Sequence, residues 1–410
     1  MEMNFFRVFL DENAESCWKF RGKSLCCEYK NENGTPYFHF KTNERGFYLY
    51  RSFSGAPETF LDELLNFEIE NIPNPLIEGP HFIIYFDSNR KIVVVSKDRI
   101  GLFSSIINKE RFEISSHYID GEEIPPGLSV FYENDEKHIA YQSVIPKRIT
   151  SDLSVDDACN MLQSALVASV VDCPVLFSGG LDSSLLAASL ALRGMKRIEL
   201  INFCADENAP DRISSLESQK DLELAFPNTE FVMVQHLMKS DDLKPYLPTI
   251  STLIPPSPKT EMNLNIAMTL YGGIERSRSN LVMTGLGADE LFCGYMKMRD
   301  ETEADDQIAE HMNRLWIRNG GRDDRVAMYL GCFVICPFLS DVFIETAMKI
   351  PSSMLVKSEL PRGQGEKWIL RQLASKLGLA SASKRPKQAM QFGSRVAKAA
   401  WRGNEPIPES

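Results

Sequence analysis

Residues 176–186 read Leu-Phe-Ser-Gly-Gly-Leu-Asp-Ser-Ser-Leu-Leu, a string with the residue types of an anion site. The apolar run Val175–Phe177 enters a tight Ser178-Gly179-Gly180 turn, and a helix is expected to open at Asp182-Ser183-Ser184. Adjacent glycines permit a backbone path that a Cβ would block. Free amides at the helix start, with the hydroxyls of Ser178, Ser183 and Ser184, make a cradle for phosphate or pyrophosphate. No Gly-Lys-Ser/Thr follows, which excludes a Walker A loop. Taken singly, the residues have plainer readings. Gly179-Gly180 is then an ordinary turn, and Asp182 an acid that complements a helix dipole. The complete string, set between a β-type run and a helix, favours a nucleotide site with Asp182 holding Mg²⁺ on the leaving pyrophosphate.

The elements around this string alternate. Val175–Phe177, Arg197–Phe203, Glu230–Gln235 and Leu281–Thr284 read as strands. Ser183–Leu192, Ser214–Ala225 and Met262–Glu275 read as helices between them. That order predicts a parallel sheet covered on both faces, with ligands at the carboxyl ends of its strands, where Ser178 and Gly285 both fall. Ser151–Val170 is expected to be an amphipathic helix, and beyond residue 300 the pattern is helical over Glu303–Arg318, Arg325–Leu330, Asp341–Lys349 and Glu366–Leu377. The first 145 or so residues predict an α+β sheet domain. Its strands are Phe47–Tyr50, His81–Phe86, Lys91–Ser96, Arg111–Ser115 and Leu128–Tyr132, its best helix is Leu61–Ile69, and Asp87–Arg90 is a hairpin turn. Ile145–Arg148 reads as the linker, dividing the chain into 1–145 and 146–410.

A chain of 410 residues with 43% hydrophobic content can bury two cores. Its net charge of −11 argues against a nucleic-acid or anionic-membrane coat. Lys384, Arg385, Lys387, Arg395, Lys398 and Arg402 form a local basic cluster, read as a solvated face or a single-anion site. The nine cysteines show no ligand spacing and read as reduced thiols of a cytoplasmic protein. The N-terminal residues lack a signal-peptide pattern, and no apolar stretch reaches the roughly 18 residues of a spanning helix.

The Ser178–Ser183 string resembles the Ser-Gly-Gly-x-Asp-Ser signature of the PP-loop ATP pyrophosphatases. A second strand-end motif, Thr284-Gly285-Leu286-Gly287-Ala288-Asp289-Glu290-Leu291-Phe292-Cys293-Gly294-Tyr295, resembles the Ser-Gly-Glu-Gly-Ala-Asp-Glu-x-Phe-Gly-Gly-Tyr of asparagine synthetases. Asp324-Arg325, Pro337-Phe338-Leu339, Glu366-Lys367-x-Ile369-Leu370-Arg371 and Lys387 before Gln391-Phe392 follow in that family's order. Lys97–Gly101 and Pro125-Pro126-Gly127 resemble its amidotransferase half. Gly363–Lys367 and Arg385–Arg395 are most similar to a branch known as asparagine synthetase domain-containing proteins. The resemblance implies an Ntn-hydrolase-like glutamine amidotransferase domain followed by a PP-loop synthetase domain, and a role in asparagine biosynthesis. It implies ATP and Mg²⁺ as cofactors, adenylation of a carboxylate such as aspartate, and amide formation with ammonia or another amine. Ser178, Gly179, Gly180, Asp182, Ser183, Ser184, Gly285 and Gly287 would bind the nucleotide. Asp182 and Asp289 would hold the metal, with Asp289 and Lys387 serving catalysis.

Several positions depart from the pattern. Glu2 stands where an N-terminal cysteine nucleophile is required, the first cysteine is Cys17, and Thr35 follows Asn33-Gly34 in place of glutamate. The family's Arg-Gly-Pro-Asp element is missing, and glutaminase activity is expected to be lost. Leu286 replaces a glutamate beside the acyl-adenylate, and a gapless alignment sets Phe333, Ile335 and Ser340 on charged positions. Two readings stay open: an ATP-dependent amidoligase, and a nucleotide-binding pseudoenzyme or protein-binding scaffold. A PP-loop enzyme acting on tRNA explains the first motif but not Gly285–Tyr295.

Overall fold

The computed structural model describes residues 5–11, 18–30, 38–43, 46–52, 79–116, 120–139, 145–149, 152–254, 261–298, 300–361 and 363–399. They form two compact units. One comprises Met1–Val144 with Asn313–Gly331, and the other Ile145–Met312 with Cys332–Ser410.

The first unit holds two six-stranded antiparallel sheets. One runs in the order Glu122–Glu123, Ile106–Asn108, Glu113–Ser115, Phe5–Asp11, Lys23–Lys30, Lys19–Phe20. The other runs Glu136–Ile139, Gly127–Phe131, Ile92–Lys97, His81–Asp87, Gly46–Ser52, Phe38–Asn43. Aromatic side chains join the sheets: Phe6 stacks on Phe82 at 4.8 Å between ring centroids, and Phe20 meets Phe86 edge-on at 6.3 Å. The expected hairpin forms with Asp87 opposite Ile92. Asp87 Oδ1 fastens the turn by accepting the amides of Asn89 and Arg90. The expected helix Leu61–Ile69 lies outside the described residues, as do Glu2, Cys17 and Asn33-Gly34-Thr35.

The second unit is built on a five-stranded parallel sheet: β1 (Val175–Leu176), β2 (Arg197–Cys204), β3 (Glu230–Leu237), β4 (Leu281–Met283) and β5 (Phe333–Ile335). The spatial order is β3-β2-β1-β4-β5. The chain winds outward from β1 to β3, then returns to lay β4 on the far side of β1, with Val175 beside Met283. Right-handed crossovers place the helices before and after such a reversal on opposite faces. Leu181–Leu192 packs on β1 and β2, Pro210–Ala225 on β2 and β3, and Glu261–Ser277 on β2 and β3. The last lies tight against the sheet, because a Cβ at Gly272 would stand 2.2 Å from the Phe203 ring and one at Gly273 3.1 Å from Leu176.

Three expected elements differ. Glu303–Arg318 is not one helix. The helix is Ala304–Asn313, followed by a wide turn at Trp316–Gly320 and a helix Gly321–Tyr329. Gly320 and Gly321 keep right-handed helical dihedrals, so the wide turn runs directly into the next helix. Glu366–Leu377 shortens to Trp368–Lys376, because Lys367 adopts left-handed backbone at φ 52° and caps it. Ile145–Arg148 is no loose linker: Ile145 is buried, and Arg148 donates to the carbonyls of Ala347 and Ile350 and pairs with Asp305. Among the described residues, no helix is long and apolar enough to cross a membrane.

Candidate active site at the switch point of the parallel sheet

β1 and β4 are neighbours at the point where the strand order reverses, and the crevice outside such strand ends is where open α/β sheets bind ligands. The turn after β1 is pinned on three sides. Phe177 N donates to Ile201 O at 2.7 Å, Asn202 Nδ2 to Phe177 O at 2.8 Å, and Ser214 Oγ to Ser178 O at 2.6 Å. Gly179 has φ +72°, and a Cβ there would stand 2.3 Å from Ser214 O. Ser218 Oγ donates to Gly179 O at 2.7 Å, and Arg385 donates to the same carbonyl. The first i→i−4 bond of helix Leu181–Leu192 is Ser184 N to Gly180 O, so the amides of Leu181–Ser183 precede the ladder. Ser178 Oγ and Ser183 Oγ lie 3.5 Å apart at the loop mouth. Ser184 Oγ is fully buried without a hydrogen-bond partner.

The turn after β4 comes against Asp182: a Cβ at Gly285 would stand 2.7 Å from Asp182 Cβ. Gly287, at φ +99°, opens the short helix Ala288–Leu291, which carries Asp289, and its missing side chain leaves room for Leu339. The two acids converge on one ammonium. Lys367 Nζ donates to both Asp182 oxygens at 2.8 and 2.7 Å and approaches Asp289 Oδ1 at 2.7 Å, outside hydrogen-bond alignment. Lys387 Nζ takes the other oxygen, Asp289 Oδ2, at 2.6 Å and lies 4.0 Å over the Tyr295 ring. Tyr295 in turn donates to the buried Glu290 at 2.6 Å.

The electrostatics follow from that packing. Burial works to raise both aspartates. At Asp289 the charges of Lys367 and Lys387 outweigh it and hold the carboxyl down to about 2. At Asp182 burial prevails over Lys367, with Asp289 adding to the rise. Burial works to lower Lys367, but the two aspartates raise it, so it stays an ammonium. Burial and the charge of Asp289 raise Glu290.

The predicted residues Ser178, Gly179, Gly180, Asp182, Ser183, Ser184, Gly285, Gly287 and Asp289 thus lie on or just after the two turns that follow β1 and β4, and Lys387 joins them through Asp289. Lys367, read from the sequence only as part of a family match, is the residue between Asp182 and Asp289. The departures from the family pattern are less concentrated. Ile335 joins the carboxyl end of the sheet, its carbonyl accepting Thr284 N at 2.9 Å, two residues before Leu286. Phe333 pairs with Leu281 at the opposite end of β5 and is buried. Ser340 caps helix Asp341–Ala347 through Phe343 N and meets Ser169 Oγ at 2.6 Å. The basic cluster is largely committed inside the unit: Arg385 to Glu217, Lys387 to Asp289 and Arg395 to Asp206.

For a polyphosphate-borne Mg²⁺ the donor set fits. Two carboxylates converge on one point, and Asp289 Oδ1 there accepts no hydrogen bond. Magnesium sites of one or two carboxylates are completed by phosphate and water. Among the described residues no third Asp, Glu, His or Cys joins the pair.

A serine-glycine turn and paired acids meet where the strand order of a parallel α/β sheet reverses. The asparagine synthase family model matches residues 162–321 and 309–404, and the chain belongs to that family. It is 32% identical over 266 residues to an asparagine synthetase domain-containing protein of Saccharomyces cerevisiae, covering 56% of this chain and 49% of the relative. Asparagine synthetase domain-containing protein 1 of Homo sapiens is 32% identical over 212 residues, 47% of this chain and 33% of its own. A putative glutamine-hydrolyzing asparagine synthetase of Methanocaldococcus jannaschii is 24% identical over 360 residues, 76% of this chain and 64% of its own. The chain therefore spans half or less of the yeast and human relatives' lengths.

Proposed function

We propose that the second unit binds Mg-ATP and adenylates a carboxylate, then passes the acyl group to ammonia or an amine. The observation that carries this is the Asp182–Lys367–Asp289–Lys387 array beside the Ser178–Ser184 loop. Clusters of perturbed acids and ammoniums in a crevice mark catalytic sites more often than they add stability. In the first step a carboxylate oxygen attacks the α-phosphorus and the bond to the pyrophosphate oxygen breaks. In the second, the amine nitrogen attacks the acyl carbon and AMP leaves. The loop amides and hydroxyls hold the pyrophosphate end, and Lys387 supplies positive charge where the phosphoryl oxygens gain it. Mg²⁺, when bound, neutralises the departing pyrophosphate. The acyl substrate is aspartate or another carboxylate. Leu286 offers no charge to aspartate or to the incoming nitrogen, which favours another acid.

The first unit is proposed to be a degenerate amidotransferase-like domain without glutaminase activity. Its two antiparallel sheets and the long archaeal match support the ancestry, and Thr35 after Asn33-Gly34 supports the loss. Nitrogen then comes from free ammonia or an amine, in the cytoplasm, with neither nucleic acid nor membrane as partner. Leu286 also favours a second reading, a nucleotide-binding pseudoenzyme or scaffold. A labelled-ATP assay across candidate acids and amines separates the two. The expected result is AMP and pyrophosphate that require an acid and Mg²⁺ and vanish in Asp182→Ala. Thermal stabilisation by Mg-ATP without turnover under any acid would establish the second reading.

A further inference from the structure

Lys367 Nζ occupies the place of a shared cation, within 2.8 Å of both acids. Its side chain is 5% exposed. The backbone is set left-handed at φ 52°, and the absent side chain of Gly294 gives it room, since a Cβ there would stand 2.4 Å from Lys367 Cε. The ammonium is therefore held in position by the fold rather than drawn in from solvent. Lys387 neutralises the remaining oxygen of Asp289. Two carboxylates and two ammoniums sum to zero charge, so a free divalent cation gains no net attraction and must also displace a caged ammonium. A polyphosphate changes both conditions. Its oxygens offer Lys367 a new partner, and their charge offsets that of the metal.

We propose that Lys367 is a resident counter-ion that closes the Asp182–Asp289 pair to free divalent metal, so that the metal enters only together with a polyphosphate. The proposal rests on the reading that these acids face the metal of a bound nucleotide. It makes Lys367 a positioning residue that sets binding order, and it gives the two lysines separate duties: Lys367 guards the metal position, while Lys387 sits to one side of it on Tyr295.

The test is equilibrium dialysis of the full chain against Mn²⁺, counting the metal retained with the protein against a protein-free blank of the same Mn²⁺ and pyrophosphate, because pyrophosphate itself chelates the ion. Wild type is expected to leave millimolar Mn²⁺ free, and to bind it once inorganic pyrophosphate is added. Lys367→Met should bind Mn²⁺ alone about tenfold more tightly than wild type, or better. Lys387→Met removes the same charge but leaves Lys367 between the acids, and should show no such gain. Equal Mn²⁺ affinity in wild type and Lys367→Met overturns the proposal, and so does an equal gain in Lys387→Met, which would make the effect one of net charge. Should Lys367→Met fail to give a cooperative melt, the other two arms decide: sub-millimolar binding of Mn²⁺ alone by wild type overturns the proposal. Failure of the nucleotide reading looks different, since then no form binds Mn²⁺ even with pyrophosphate.

Discussion

Single side chains set the pH response of the second unit. Asp211 lies in the first turn of helix Pro210–Ala225, close against the backbone of Gly393, where a Cβ would stand 2.2 Å from its Oδ1. Burial pushes its carboxyl up to about 7, with Arg385 opposing. A raised acid stabilises the fold below its unfolded pKa near 4, and that contribution is lost as pH climbs through 7. Asp211→Asn should therefore match wild type near pH 4.5 and exceed it at pH 8 by on the order of 1–3 kcal/mol. Urea unfolding at the two pH values checks this, and an unchanged pH slope would show that Asp211 ionises freely in the folded chain. At this scale the sequence was readable wherever chemistry is local. Ser178, Asp182 and Ser183 stand within six residues of one another, so one string carries the loop. Lys367 is 185 residues from Asp182 and reaches it only through a left-handed cap and a neighbouring glycine, neither of which a motif displays.

At the scale of elements, the alternation of β-branched runs and helical segments was enough to place β1 to β4. Where the chain breaks inside a helical pattern was less visible. Trp316–Gly320 carries no proline, and Gly320 lies where a Cβ would stand 3.4 Å from Leu102 Cα. Helix Glu261–Ser277 makes the same point in reverse. Gly272-Gly273 in its interior weakens the helix by local propensity, at about 1 kcal/mol per glycine against alanine. Their use is tertiary, since the bare backbone lies on Phe203 and Leu176. Gly272→Ala is accordingly expected to destabilise by about 1–3 kcal/mol, overpacking outweighing the gain in propensity. Denaturant unfolding decides the sign: a more stable variant would mean that the helix can lift from the sheet without penalty. His236 is the side chain to watch, because its Nδ1 meets Gly272 O at 3.0 Å and its ring meets Phe203 edge-on, so a shift of the helix should appear in the His236 resonance.

On the scale of the whole molecule, a boundary near residue 145 captures only part of the first unit, which also includes Asn313–Gly331. The reason is a buried ion pair that sequence order conceals. Arg51 donates to both oxygens of Asp324 at 2.9 and 2.8 Å, across 273 residues of chain, over the face of Phe103. Ser104 N adds a third bond to Asp324 at 2.7 Å, and Arg325 reaches Ser104 Oγ and Glu123. The Asp324-Arg325 dipeptide, legible only as a family match, is thus the fastening that returns a distant segment to the first unit. Apolar substitution of a whole buried pair is often neutral, whereas loss of one partner strands the other charge and costs about 3–5 kcal/mol. Asp324→Ala should then destabilise the first unit by that amount, and Arg51→Met with Asp324→Leu should restore much of it. Hydrogen exchange at the amides of His81–Asp87, in the centre of one sheet, isolates this unit from the other. Protection that survives Asp324→Ala undiminished would mean that the fastening lies elsewhere. The fragment 1–144 lacks Asn313–Gly331 altogether. With the fastening at Asp324, that fragment should expose its sheet amides within the dead time of exchange.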